Sequence, residues 1–218
     1  MEKKEGKVKD LVEELQRGEI TSKEALKKLE ERRLTEGTVG GSWESTLGFI
    51  PWVIHFILWL LPTWARHFKL DFLEWFAQLR TITIPSVAIY ISIVFIVVGT
   101  FFLVWGILSH RKKGGLKKTG EAIILYKEGP YSFMRHPQVA GGIMWPFLLP
   151  IILSEFVSFT VLSIAAIVIM IIYFYYGTHM EEKLSIEKWG DEYQQYMKEV
   201  PGFNFILGLW RLRKRRKC

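Results

Sequence analysis

The sequence predicts an all-α, multi-pass membrane protein with about four, at most five, membrane helical elements, and three observations carry that fold class. First, Thr83–Leu108 and Phe156–Tyr176 are apolar runs without a charged residue, and each reaches the ~20 residues a helix needs to cross a bilayer. Second, two shorter apolar runs flank them, Leu47–Leu61 (continuing through Trp64) and Val139–Leu153. Fifteen helical residues rise only roughly 22 Å against a ~30 Å hydrocarbon core. These two are therefore expected to lengthen through their flanks, thin the bilayer locally, or dip in and return. Third, the basic residues are unequally shared: 26 of the 29 Lys and Arg fall before Leu47, in 109–138 or after Tyr176, and 3 fall in Thr63–Ile82. The positive-inside rule then predicts that both termini and the 109–138 segment are cytoplasmic.

Residues 1–45 read as a cytoplasmic helical hairpin and linker, separate from a membrane domain over 46–218. Val8, Leu11, Val12 and Leu15 share one helical face, and Gly18 ends that helix. Thr21 or Ser22 caps a second helix over 22–34 that turns Ala25, Leu26 and Leu29 inward. TEGTVGGS (35–42) is a flexible linker. The pair resembles short helical hairpins appended to many prokaryotic membrane proteins, which implies oligomerisation or docking; a solvated tail with nascent helix is the alternative.

After the first apolar element, DFLEWFAQLR (71–80) places Phe72, Trp75, Phe76 and Leu79 at helical spacing, the pattern of an amphipathic helix in the membrane surface. His55, alone within the first element, is assigned no role. The segment from Glu121 to Phe133 reads as strand-like or loop, broken at Gly129-Pro130. Phe156–Tyr176 runs into charged sequence with no break before Gly190, so its helix is expected to continue from the bilayer into the cytoplasm. A two-residue turn at Ser154-Glu155 is expected to join it to Val139–Leu153.

The tail has six basic residues in the seven from Arg211 to Lys217, suited to anionic lipid headgroups. Nucleic acid is not expected, because a basic run beside membrane spans ordinarily anchors the cytoplasmic side. MEKKEGKVKD is followed by further charge, so no secretory signal is expected. The sole cysteine, Cys218, offers no internal disulfide and no cysteine metal site, and a final cysteine does not fit the prenylation pattern.

Chemistry concentrates at the cytoplasmic boundary. Arg135 and His136 directly precede Pro137, a residue favoured in the first turn of a helix. The free N–H groups of such a turn suit a carboxylate or phosphate. Gly141 and Gly142 follow about one turn later, where missing side chains would let a ligand approach the backbone. Glu181 and Glu182 stand at the end of the hairpin's other arm. Cations, bare helix backbone and paired carboxylates at one depth would suit a zwitterion such as an amino acid moiety.

GPYSFMRHPQVAGG, followed about forty residues on by EEKLSIEKWGDEYQQYMKEVP, resembles the superfamily of isoprenylcysteine carboxyl methyltransferases and phospholipid N-methyltransferases. The resemblance covers Gly129 to Pro201. It implies an integral membrane enzyme with a cytoplasmic S-adenosylmethionine pocket and a lipid-like methyl acceptor. Carried over by position, it implies that Arg135 and His136 contact the cofactor's carboxylate and that Glu181 or Glu182 takes its ammonium. Backbone near Gly141 would lie close to the cofactor, and Tyr131, Trp189, Tyr193 and Tyr196 would form a cytoplasmic lid. No catalytic side chain is assigned and no metal is expected, because methyl transfer from a sulfonium relies on positioning. The acceptor would enter laterally between Thr83–Leu108 and Val139–Leu153.

Two departures from the pattern, Val139 for a tyrosine and Ser185 for a leucine, bear on acceptor type. A prenylcysteine-type carboxylate is the first choice and a phospholipid amine the alternative. An NADPH-dependent, sterol-reductase-like enzyme and a non-enzymatic membrane scaffold are the rival classes.

Overall fold

A computed structural model of the chain describes residues 10–21, 23–25, 27–28, 31, 48–69, 71–113 and 125–215. Among these residues the architecture is helical, without strands. The principal helices are α1 (Ile50–Phe68), α2 (Glu74–Ala77), α3 (Ser86–Lys113), α4 (Pro137–Ile152), α5 (Val161–Trp189), α6 (Asp191–Glu199) and α7 (Phe205–Arg215). Short 3₁₀ turns at Asp71–Leu73 and Gly129–Ser132 precede α2 and α4. Among the described residues, two helices are long and apolar enough to cross a membrane, Ser86–Ser109 within α3 and α5. The linker over 35–42 and the basic residues beyond Arg215 lie outside the described residues.

The chain divides into two compact units. One comprises 43–103 and 139–177 and holds α1, α2, most of α3 and α4, and the apolar part of α5. Within it α3 and α4 cross at glycines: a Cβ on Gly141 would fall on the Gly99 carbonyl oxygen and within 2.7 Å of the Leu103 nitrogen. Small residues at such a crossing let two backbones approach. Gly142, by contrast, has open space where a Cβ would stand.

The connection from α4 to α5 also differs from expectation. Instead of two residues at Ser154-Glu155, turns occupy 153–158 and α5 begins at Val161. Phe156, Val157 and Phe159 extend the apolar run in sequence, but specific polar contacts hold them out of the helix. Arg66 Nη1 donates to Ser158 Oγ (2.7 Å), Ser158 N–H donates to Thr63 Oγ1 (2.8 Å), and Ile82 N–H donates to the Phe159 carbonyl (2.7 Å). Thr160 then starts α5, its hydroxyl accepting from the Leu162 N–H at 3.2 Å. Phe72 and Trp75, in the 3₁₀ turn and α2, are 80% and 66% exposed, which suits the amphipathic surface segment expected there.

The other unit comprises 1–42, 104–138 and 178–218. Residues 10–16 are helical, and Gly18 ends that helix at φ +72°, a left-handed conformation that favours glycine. Thr21 opens the next segment through a capping box. Its hydroxyl accepts from the Glu24 N–H (3.4 Å), and the Glu24 carboxylate accepts from the Thr21 N–H (2.8 Å). Leu11, Val12 and Ala25 are fully buried, and Leu15, Ile20 and Trp189 pack on them. α5 runs unbroken through the charged sequence to Trp189, and Gly190 (φ +54°) turns the chain into α6. The strand-or-loop segment resolves as the Gly129–Ser132 turn over its last residues; residues 121–124 lie outside the described residues.

Candidate functional site

The apolar part of α5, Val161–Tyr176, carries no charge, and Glu181 and Glu182 follow it by one to two turns, beyond the hydrocarbon-like stretch. Around Glu182 the two motif segments lock together. Arg135 Nη2 and Nε donate to Glu182 Oε1 at 2.6 and 3.1 Å, and His136 Nε2 lies 3.0 Å from the same oxygen. Arg135 Nη1 donates to the carbonyls of Met197 (2.9 Å) and Val200 (2.6 Å). The backbones join as well, with Arg135 N–H on the Pro201 carbonyl and His136 N–H on that of Gly202. Arg135 is thus engaged on four acceptors and ties the 129–136 segment to 197–202.

His136 is 5% exposed, and its second ring nitrogen, Nδ1, stands 3.5 Å from Glu181 Oε2. Burial alone would lower its pKa, but hydrogen bonds to Glu181 and Glu182 outweigh that and raise it above 6.5. With carboxylates at both ring nitrogens, the imidazolium is the form that donates to each. The hydrogen bond from His136, reinforced by Arg135, holds the Glu182 carboxyl far below 4.5 despite its burial. The Phe203 ring lies over the imidazole, centroids 5.6 Å apart. Glu181 is different: its side chain is 59% exposed, leaving a carboxylate at the open edge of the cluster.

The other expected site residues are distributed unevenly. Tyr131 receives a hydrogen bond from Gln138 Nε2 (2.7 Å), and its carbonyl accepts from the Tyr196 hydroxyl (2.7 Å). Burial pushes the Tyr131 and Tyr193 hydroxyls up to about 12. Tyr193 and Tyr196 are each 4% exposed and form a core with Val200, so the lid expected of them is instead the interior of this unit. Ser185, one of the two departures, lies near enough to the Tyr193 hydroxyl to work against that upward push. Gly141 belongs to the other unit, where the α3 backbone fills the space beside it.

Two shallow cavities of about 260 and 290 Å³ are lined by Glu19, Glu24 and Lys28 of the hairpin and by Phe95, Met144 and Phe147. Neither is lined by Arg135, His136, Glu181 or Glu182. Among the described residues, no group of three or more His, Cys, Asp or Glu is placed to hold a metal ion. Sequence reasoning missed the Met197 and Val200 carbonyls, which carry no side-chain signal, and Phe203, which lies beyond the motif.

No protein-family model matches the chain, and no solved structure matches it. Among curated proteins, it is similar to the Protein-S-isoprenylcysteine O-methyltransferase of Schizosaccharomyces pombe, 31% identical over 78 residues. That alignment spans 36% of this chain and 31% of the relative, so the likeness is partial on both sides.

Proposed function

We propose that the chain is an integral membrane methyltransferase that uses S-adenosylmethionine and acts on a lipid-like acceptor, with a prenylcysteine-type carboxylate as the leading class. The observation that carries this reading is the buried Arg135–His136–Glu182 cluster with the Glu181 carboxylate at its edge. A cation and an accessible acid stand side by side just past a long apolar helix. The partial likeness to an isoprenylcysteine O-methyltransferase supports the same reading. In this proposal α1, α3, α4 and α5 are the membrane elements, and both termini and the cofactor pocket are cytoplasmic.

When bound, S-adenosylmethionine supplies an electrophilic methyl group on its sulfonium. The donor set fits its zwitterionic methionine end. Glu181 receives the ammonium; in turning toward it, Glu181 leaves His136 Nδ1–H free for the carboxylate. Glu182 keeps the imidazolium charged and oriented. Arg135, already engaged on Glu182 and two carbonyls, positions the cluster and does not take the ligand. Tyr131 walls the site over the buried Tyr193–Tyr196 core, and positioning with exclusion of water provides the acceleration.

Calorimetry on the full chain in detergent tests this. Saturable heat is expected with S-adenosylmethionine and with its demethylated product, and none with NADPH. Glu181→Gln is expected to weaken both ligands by about three- to fivefold, since a charged contact at a largely exposed carboxylate is worth roughly up to 1 kcal/mol. Folded wild-type protein that shows no saturable heat with either ligand would overturn the proposal.

A further inference from the structure

α7 presents two faces of different chemistry. Gly208 is turned inward, since a Cβ there would fall on the Phe133 carbonyl oxygen. At ~100° per residue this sets the outward face, and Ile206, Leu209 and Trp210 on it are 68%, 40% and 60% exposed. Arg213 and Lys214 continue that face into the last turn, with Lys214 Nζ 5.9 Å from the centre of the Trp210 ring. The remaining cations face the unit itself. Arg211 donates to the Lys198 carbonyl, and Arg215 to the Ser132 carbonyl and Glu199 Oε2. The basic residues of α7 therefore divide, two engaged inward and two left outward beside a continuous apolar patch.

We propose that α7 is an in-plane membrane anchor, its outward apolar residues entering the bilayer interface while Arg213 and Lys214 take the phosphates of acidic phospholipids. An amphipathic helix with aromatic and aliphatic residues on one face and cations beside them is the pattern of interfacial binding, and a tryptophan at their boundary suits the headgroup level. A second copy fits less well, because packing this face in parallel would set Arg213 and Lys214 against their own like charges, and packing it antiparallel would set them against apolar Ile206. The contacts of Gly208 and Arg215 also give the anchor a consequence. Gly208 packs against the Phe133 backbone and Arg215 donates to the Ser132 carbonyl, so the segment leading into Arg135 and His136 is tied to the bilayer surface through α7. The anchor itself does not depend on methyl transfer.

The test uses the full chain in a Cys218→Ser background, with a nitroxide on Ile206→Cys or Leu209→Cys and a control label on Gln194→Cys, an exposed position on α6. The protein is reconstituted into nanodiscs of phosphatidylcholine alone or with phosphatidylglycerol. Both α7 labels are expected to collide with oxygen in preference to a water-soluble nickel reagent, and the control label to do the reverse. Phosphatidylglycerol is expected to deepen the α7 labels, and Arg213→Glu with Lys214→Glu to abolish that change. Labels on α7 as open to nickel as the control would overturn the anchor. Shielding accompanied by spin–spin broadening would assign the patch to a second copy, and shielding indifferent to lipid charge would overturn the acidic-lipid recognition.

Discussion

At the scale of single residues, Glu182 does the most. Its Oε1 meets Arg135 and His136 together, with 19% of the side chain exposed. Glu182→Gln removes the charge and leaves two cations half-paired, so destabilisation of about 3 kcal/mol is expected, read as a lower melting temperature in detergent. The pH dependence has a defined sign. His136 titrates above 6.5 in the folded state, so its pairing contributes fully below 6.5 and is lost as pH rises through the folded value. Glu182 titrates below 4.5, so its contribution is full above 4.5 and lost as pH falls through the folded value. Melting temperature is therefore expected to be flat between these limits and to decline on the alkaline side, with the decline abolished in His136→Gln. A wild-type profile that rises with pH above 6.5 would contradict the pairing.

At the scale of elements, the α3–α4 crossing ranks three glycines by what surrounds them. Gly141 faces backbone on α3, which cannot move aside cheaply, whereas a Cβ on Gly99 would meet the Met144 side chain with its sulfur at 2.7 Å, and Gly142 faces open space. Gly141→Ala is expected to cost about 1–3 kcal/mol or more by overpacking. Gly99→Ala should cost less because Met144 can change rotamer. Gly142→Ala should be neutral or stabilising, since alanine is the better helix former by about 1 kcal/mol. Melting temperatures of the three variants in detergent check the order, and equal effects would show that the crossing is loose. The sequence revealed that glycines mattered here but not which neighbour used each. Adjacent positions on a helix point about 100° apart, so Gly141 and Gly142 look alike in sequence and differ completely in space.

At the scale of the whole molecule, local signals were legible and distant partnerships were not. Charge-free runs gave the long helices, and Gly18 and Gly190, both at positive φ, marked stops. The pairing of Arg135 with carbonyls 62 and 65 residues away leaves no local pattern, and Phe156 and Val157 read as helix because apolarity alone does not reveal a turn. The N-terminal hairpin shows the same divide. Its first helix, the stop at Gly18 and the Thr21 cap were readable, but its seat was not; Val8, Leu26 and Leu29 lie outside the residues whose side chains are described. Trp189 packs against Leu11, Val12 and Ala25 and also against the Tyr193–Tyr196–Val200 core, so one side chain joins the hairpin to the interior that supports the cluster. Gln16 Nε2 donates to Glu192 Oε2 (3.4 Å), a polar link at the same place. Leu11→Glu would bury a charge against Trp189, a cost the hairpin can escape only by detaching. The expected outcome is rapid proteolytic release of the hairpin from the full chain, with tryptophan emission shifted to the red as Trp189 meets water. The Glu182-centred cluster keeps its own partners, so the alkaline decline in melting temperature should survive. A hairpin that stays protease-resistant in Leu11→Glu would mean that polar contacts such as Gln16 to Glu192, rather than the apolar seat, hold it in place.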